Sequence, residues 1–272
     1  IGVHTGLLLA AESESELASV LAHEISHVTQ RHIARLIGAE QRMSIPSMAA
    51  LVVAVLAARS RPDLAQGAVM ASQAGALQSQ INYTRDFERE ADRVGFTLLT
   101  AAGFDVSAMP LFFEKLQRAT RVYDDGAPSY LRTHPVTTER IADAQARVAQ
   151  APYRQHADVV EFRLVRAKLR AETGDAREAV TQFATALRDG RYAHETATRY
   201  GLASALLRER RFKEADAAAA QLRSASVKSP MIESLAARAS QAAGDPGRAF
   251  EILRAARERY PYWRPLAYAW LD

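Results

Sequence analysis

Apolar positions recur at helical spacing along most of the chain, and that period predicts a mainly α-helical protein. Leu17, Val20, Leu21, Ile25, Val28, Ile33, Leu36 and Ile37 form one such stripe, opened by Ser13 and Glu16 at the spacing of a capping box and closed by Gly38. They predict a helix over about 14–37, and a second over about 84–100 that ends near Gly103. Ile1–Leu9 departs from the pattern: its β-branched residues and alternation predict a strand, either an edge strand for an extended polypeptide or one covering the first helix. Met48–Ala58 is an apolar run between Pro46 and Arg59. It is too short to span a membrane and suits a core helix, with a site-lining or peripheral membrane contact as the alternative. Pro62–Gln80, rich in Ala and Gln, reads as a helix or a flap.

The pattern changes near Ala151-Pro152-Tyr153-Arg154. Beyond it, Ala-rich helix pairs are divided by turns at Gly174-Asp175, Arg210-Arg211 and Gly244-Asp245, spaced about 35 residues apart, which is the period of tetratricopeptide repeats. Alignment on the turns places Ala179, Phe183 and Ala186 over Ala215, Ala219 and Leu222, and over Ala249, Leu253 and Ala256. The expected organisation is one domain over 1–150 and a repeat domain over 156–272 that stacks into a solenoid with a recognition surface. The aromatic run Tyr260-Pro261-Tyr262-Trp263 reads as a cap on that array or a contact with the first domain.

Composition narrows this only a little. With 48% hydrophobic and 24% charged residues, 272 residues are enough for two packed cores. The net charge of +4 is spread along helices among acids, with no basic block, so nucleic acid is not an expected partner. The chain has no Cys, which fits a reducing or an oxidising compartment alike.

The chemistry sits in the first helix. His23, Glu24 and His27 spell H-E-x-x-H; on a helix the two imidazoles lie one turn apart and can share one zinc ion, with Glu24 beside them as general base. A catalytic zinc takes three protein ligands, so one more is needed. A third His six residues after the second is missing, since position 33 is Ile, and His32 lies out of phase and reads as surface. The better candidate is the E-x-x-A-D of the second helix, in which Glu88 supplies the third ligand and Asp92, one turn on, orients a ligand imidazole. Glu90 points away from Glu88 and reads as a solvated acid.

These motifs together resemble the HtpX-like and BepA-like zinc peptidases of bacteria. The likeness covers Ile1 to about Ala149 and includes IGVHTGLL, HEISH, YTRDFEREAD, AGFDVSAMPLFFEKL and THPVTTERI. The resemblance implies a gluzincin-type metallopeptidase domain with a small β-strand element, followed by the α-helical repeat solenoid. It implies a periplasmic location, with no transmembrane helix in this chain. It implies unfolded or misassembled outer-membrane β-barrel proteins as clients and the barrel-assembly machinery as partner. His134 and Arg140, in H-P-x-x-x-x-R, correspond to a motif that faces the active site. Either supplies the oxyanion donor, or His134 occupies the fourth zinc position in a latent state, or it is an ordinary loop His after the turn-rich Arg121–Thr133. The opening at Ile1, without the leader such proteins carry, reads as an N-terminally incomplete chain.

Two functions therefore stand open: a zinc endopeptidase whose repeats recruit clients, and a chaperone or scaffold that works through the repeats. Glu24 favours the enzyme, because a scaffold has no use for a base beside the metal.

Overall fold

The computed structural model describes residues 2–39, 41, 48–49, 52, 62–122 and 134–269. Most of the Met48–Ala58 run and all of 123–133 lie outside the described residues. The described chain is helical: α1 (Thr5–Ala10), α2 (Glu14–Thr29), α3 (32–39), α4 (Pro62–Ala101), α5 (Ala108–Val122), α6 (Thr138–Gln150), α7 (Val160–Glu172), α8 (Ala176–Arg188), α9 (Glu195–Arg208), α10 (Phe212–Ser224), α11 (Pro230–Ala242), α12 (Pro246–Arg259) and α13 (Arg264–Ala269). It forms two compact units, one of Ser13–His156 and one that joins Ile1–Glu12 to Ala157–Asp272.

The expected strand is not there, and among the described residues there is no strand at all. Thr5–Ala10 is helix α1, capped where His4 Nδ1 accepts from the Gly6 N–H at 3.0 Å. Leu7, Leu8, Leu9 and Ala10 are strong helix formers, and their local preference outweighs the β-branched residues before them. The Arg166 guanidinium of α7 donates to the Leu8 and Leu9 carbonyls at 3.1 and 3.3 Å, which satisfies groups at the open end of so short a helix.

In the Ser13–His156 unit, α2 packs on α4 and α5, and α6 on α4 and α5. Ala22, Leu99, Val106, Met109, Phe113, Ile141 and Ala144 make the core. Helix α2 starts as expected, with Ser13 Oγ accepting from the Glu16 N–H at 3.1 Å. Its buried face keeps only part of the predicted apolar stripe: Val20 is buried with Ser15, Ser19, Ala22, His23 and Ser26, while Ile25 and Val28, and Ile33 and Ile37 of α3, are exposed. Small residues let α4 come close. A Cβ on Gly95 of α4 would lie 3.1 Å from the backbone N of His23 and 3.2 Å from its Cα.

Helix α2 also stops short of its predicted end. Arg31 adopts φ 55°, in the left-handed region, and the chain restarts as α3 in a new direction. Helix α4 is longer than the predicted 84–100 helix, since the Ala- and Gln-rich residues before it continue the same helix from Pro62.

In the other unit each helix from α7 to α12 packs on the next along the chain. The turns fall where the repeat period places them, and Gly174, Arg210 and Gly244 all take positive φ (66°, 65° and 94°) just past a helix end. Glycine meets that requirement without strain; Arg210 meets it at a cost. The aligned small residues Ala179, Ala215, Ala219, Ala249 and Ala256 are all buried in one core. Trp263 and Tyr260 pack against that same core, so the aromatic run closes its own unit.

Gly95→Ala should force α2 and α4 apart, because the atoms its methyl meets are backbone and cannot turn aside. Thermal unfolding is expected to show a loss of about 1–3 kcal/mol, and a variant as stable as the parent would contradict so tight a crossing.

Candidate metal centre

Helix α2 carries His23 and His27 one turn apart, α4 carries Glu88 and Asp92 one turn apart, and the segment entering α6 carries His134. Ligand atoms of His23, His27, Glu88 and His134 all lie within 4.8 Å of one another. His23 Nε2 is 3.0 Å from His27 Nε2, 3.4 Å from His134 Nδ1 and 3.5 Å from Glu88 Oε2. Glu88 Oε1 is 3.3 Å from His27 Nε2 and 2.9 Å from His134 Nδ1. Donors about 2.0–2.1 Å from one tetrahedral ion stand about 3.3 Å apart, so these separations fit a divalent metal at their centre.

Two buried oxygens have no hydrogen-bond partner among the described residues, Glu24 Oε1 and Glu88 Oε2. Glu88 Oε2 does lie 2.7 Å from Arg140 Nη1, an ion pair without hydrogen-bond geometry. The Glu88 carboxylate, set against the imidazoles of His23 and His27, is one that a cation at the centre of the cluster would satisfy.

Asp92 stands behind His23. Its Oδ1 lies 2.9 Å from His23 Nδ1, and since an ionised carboxylate only accepts, Nδ1 carries the hydrogen and Nε2 faces the cluster. Arg140, buried, donates to both oxygens of Asp92, from Nε to Oδ2 at 2.7 Å and from Nη2 to Oδ1 at 2.8 Å, and also to the Pro135 carbonyl at 2.8 Å. Its donors are thus committed to holding Asp92, Glu88 and the segment bearing His134.

Burial opposes charge on Glu88, but hydrogen bonds from His134, His23 and His27 and the Arg140 guanidinium outweigh it and hold the carboxyl well below the usual range. Asp92 is held low in the same way by Arg140 and His23 against its burial. Burial also opposes charge on His23, yet Asp92 and Glu88 prevail and raise it to about 9.

His32 is not on the surface. It is buried, with Nδ1 2.9 Å from His27 Nδ1 and Nε2 3.3 Å from Glu90 Oε2. Burial, then the neighbouring His27, lowers its pKa. Glu90, in turn, is not a free solvated acid, since Arg35 donates to it at 2.7 Å. Helical phase misplaced His32 because the left-handed Arg31 resets the phase after α2, and no glycine marks that break; Glu90, on α4, meets His32 and Arg35 from the segment that follows it.

With this geometry in view, residues 1–148 match peptidase family M48. The chain belongs to that family. A Vibrio cholerae protein provisionally named a beta-barrel assembly-enhancing protease is 41% identical over 224 residues, 82% of this chain and 46% of that protein. The beta-barrel assembly-enhancing protease of Escherichia coli strain K12 is 35% identical over 214 residues, 78% of this chain and 44% of that protein. The mitochondrial metalloendopeptidase OMA1 of Arabidopsis thaliana is 34% identical over 140 residues, 52% of this chain and 26% of that protein. The chain spans less than half the length of these relatives. Membership in a metallopeptidase family accounts for a metal among His23, His27, Glu88 and His134.

The charges predict a pH signature. In the metal-free protein the His23 pKa near 9 exceeds its unfolded value of 6.5, so its stabilisation is complete below 6.5 and lost as pH rises through 9. The carboxyls of Glu88 and Asp92 are depressed, and their stabilisation is lost only as pH falls below the unfolded values of 4.5 and 3.8. Metal needs His23 Nε2 free of its proton, so affinity rises over the interval in which the metal-free protein weakens. Thermal unfolding from pH 6.5 to 9 should fall with chelator present, while the added stability from a divalent metal grows; parallel curves would contradict the assignment.

Proposed function

We propose that this chain carries a zinc-dependent endopeptidase centre acting on unfolded or misassembled outer-membrane β-barrel proteins in the periplasm, in association with the barrel-assembly machinery. The observation that carries the chemical half is the convergence of three imidazoles and one carboxylate, with the Glu24 carboxylate beside them. A donor set of three nitrogens and one oxygen at tetrahedral spacing favours zinc over harder cations, which prefer oxygen. The biological half rests on the beta-barrel assembly named in the relatives.

His23, His27 and Glu88 hold the metal, and Asp92 with Arg140 behind it keeps His23 in the binding tautomer. A zinc ion held there would supply Lewis acidity, toward a water and toward the scissile carbonyl. Glu24 takes the water's proton and delivers it to the departing amine. Arg140, enclosed by its acids, serves as a positioning residue, and the donor for the developing oxyanion falls to His134.

His134 has a second part in the resting protein. Its Nδ1 stands among the ligand atoms as a fourth donor, and its Nε2 lies 3.8 Å from Glu24 Oε1. A fourth protein donor closes a site that needs an open position, so this arrangement is a latch that substrate must displace. A cleft of ≈ 730 Å³ walled by Ile81, Thr84, Arg85, Pro135 and Thr137 opens beside Glu88 and Arg140 and provides room for an extended segment. It takes the place of the edge strand expected at the N-terminus.

The two units divide the work, the M48 part cutting and the helical pairs recruiting clients. In the latter, a groove of ≈ 630 Å³ lined by Arg170, Asp175, Gln182, Phe183, Arg191 and Tyr192 offers mixed polar and apolar contacts for a polypeptide. No helix among the described residues is long and apolar enough to cross a membrane.

Digestion of casein by the zinc-loaded chain should stop with chelator and in Glu24→Gln, while that variant keeps its zinc; cleavage by Glu24→Gln at the parent rate would refute the assignment of the base. In the zinc-loaded chain His134→Ala should free the fourth position and tighten binding of a zinc-directed hydroxamate, while casein cleavage falls with the loss of the oxyanion donor. Unchanged hydroxamate affinity would remove the latch.

A further inference from the structure

The His23 side of the centre is held by a carboxylate; the His27 side is held differently. Among the described residues His27 Nδ1 faces no acid. It faces the Nδ1 of His32, at 2.9 Å, with the two rings nearly perpendicular at 84°. His32 is 3% exposed and lies flat on Phe87, with ring centroids 4.6 Å apart and planes 13° from parallel. Its far nitrogen, Nε2, is 3.3 Å from Glu90 Oε2. Glu90 is fixed from outside by Arg35, whose guanidinium also covers Phe87 at 4.8 Å from the ring centroid.

We propose that His32 is a positioning residue of the metal centre, relaying Glu90 to His27 and setting the tautomer in which His27 can bind metal. The inference rests on the metal centre proposed above. The hydrogen inventory leaves one arrangement. Glu90 accepts, so His32 Nε2 carries a hydrogen. Two nitrogens 2.9 Å apart share one hydrogen, so either His27 donates to His32 or the reverse. If His32 donated, the neutral His27 would carry its hydrogen on Nε2, where it points at His23 Nε2 and Glu88 Oε1 and blocks coordination. The metal-competent state is therefore Glu90 accepting from His32 Nε2–H, and His32 Nδ1 accepting from His27 Nδ1–H. The stacking on Phe87 fixes the His32 ring so that this acceptor does not turn away.

Ligand histidines generally give their second N–H to a carboxylate, carbonyl or water, and loss of that partner weakens metal binding by about 10–100-fold. Here the partner is a neutral imidazole with an acid behind it. The device depends on the left-handed Arg31, which ends α2 and swings His32, five residues after His27, back against it.

The test compares zinc affinity in the full chain by competition with a chromophoric chelator, for the parent, His32→Leu and His32→Asn. Leu keeps the bulk and removes the acceptor; Asn places an amide oxygen where Nδ1 stood. The expected result is a loss of about 10–100-fold for His32→Leu, with most of it recovered by His32→Asn. Parent-like affinity in His32→Leu, or Asn no better than Leu, would overturn the relay. Should His32→Leu fail to fold, nitrogen-15 spectra of the histidines in the zinc-loaded parent decide: His32 should carry its hydrogen on Nε2 alone, and a hydrogen on its Nδ1 would overturn the relay. A parent chain that takes up no zinc would instead refute the metal centre itself.

Discussion

Glu88 and Asp92 are both buried, one turn apart on α4, and a buried carboxylate persists only where donors and opposite charge reach it. Much of the Ser13–His156 unit answers that requirement. Helix α2 must come close enough for His23 to reach Asp92 and Glu88, which calls for Gly95 and for small residues on the facing side of α2. Helix α6 must bring Arg140 beneath both acids. Arg140 in turn binds the Pro135 carbonyl and so sets His134, the residue next to it, against Glu88. Removing one partner leaves the others as unpaired charge in the interior, so the metal centre and the packing of α2, α4 and α6 stand or fall together.

This coupling also explains the polarity of α2. A helix that serves only as core buries its large apolar residues. Here the buried face is Ser15, Glu16, Ser19, Val20, Ala22, His23 and Ser26, and Ser19 and Ser26 satisfy their hydroxyls on the helix's own carbonyls, at 2.7 Å each. Of the apolar stripe that dominates the sequence pattern Val20 is buried, while Ile25, Val28, Ile33 and Ile37 turn outward.

The cluster proposed as the metal site was legible because its parts are local: His23, Glu24 and His27 need only a helix, and Glu88 with Asp92 needs only another. The helical character and the three turns at Gly174, Arg210 and Gly244 were legible for the same reason, each being fixed within a few residues. What failed depended on the rest of the fold. Ile1–Leu9 mixes strand and helix preferences, and the leucines decide in favour of helix. His32 falls inside because one left-handed residue, Arg31, breaks the helical phase before it, and Glu90 gains its partners from that redirected segment. Arg140 was placed near the site by its motif, but its enclosure by Asp92 and Glu88 follows from the packing of α6 on α4 and not from any local pattern.

X-ray absorption at the zinc edge on the resting, zinc-loaded chain reports the ion's neighbours without reference to activity. It should show one zinc per chain with three imidazole nitrogens and one carboxylate oxygen at about 2.0–2.1 Å, and loss of the oxygen neighbour in Glu88→Ala. A spectrum with only two imidazoles, or one that Glu88→Ala leaves unchanged, would contradict the convergence of α2, α4 and the His134 segment on a single ion.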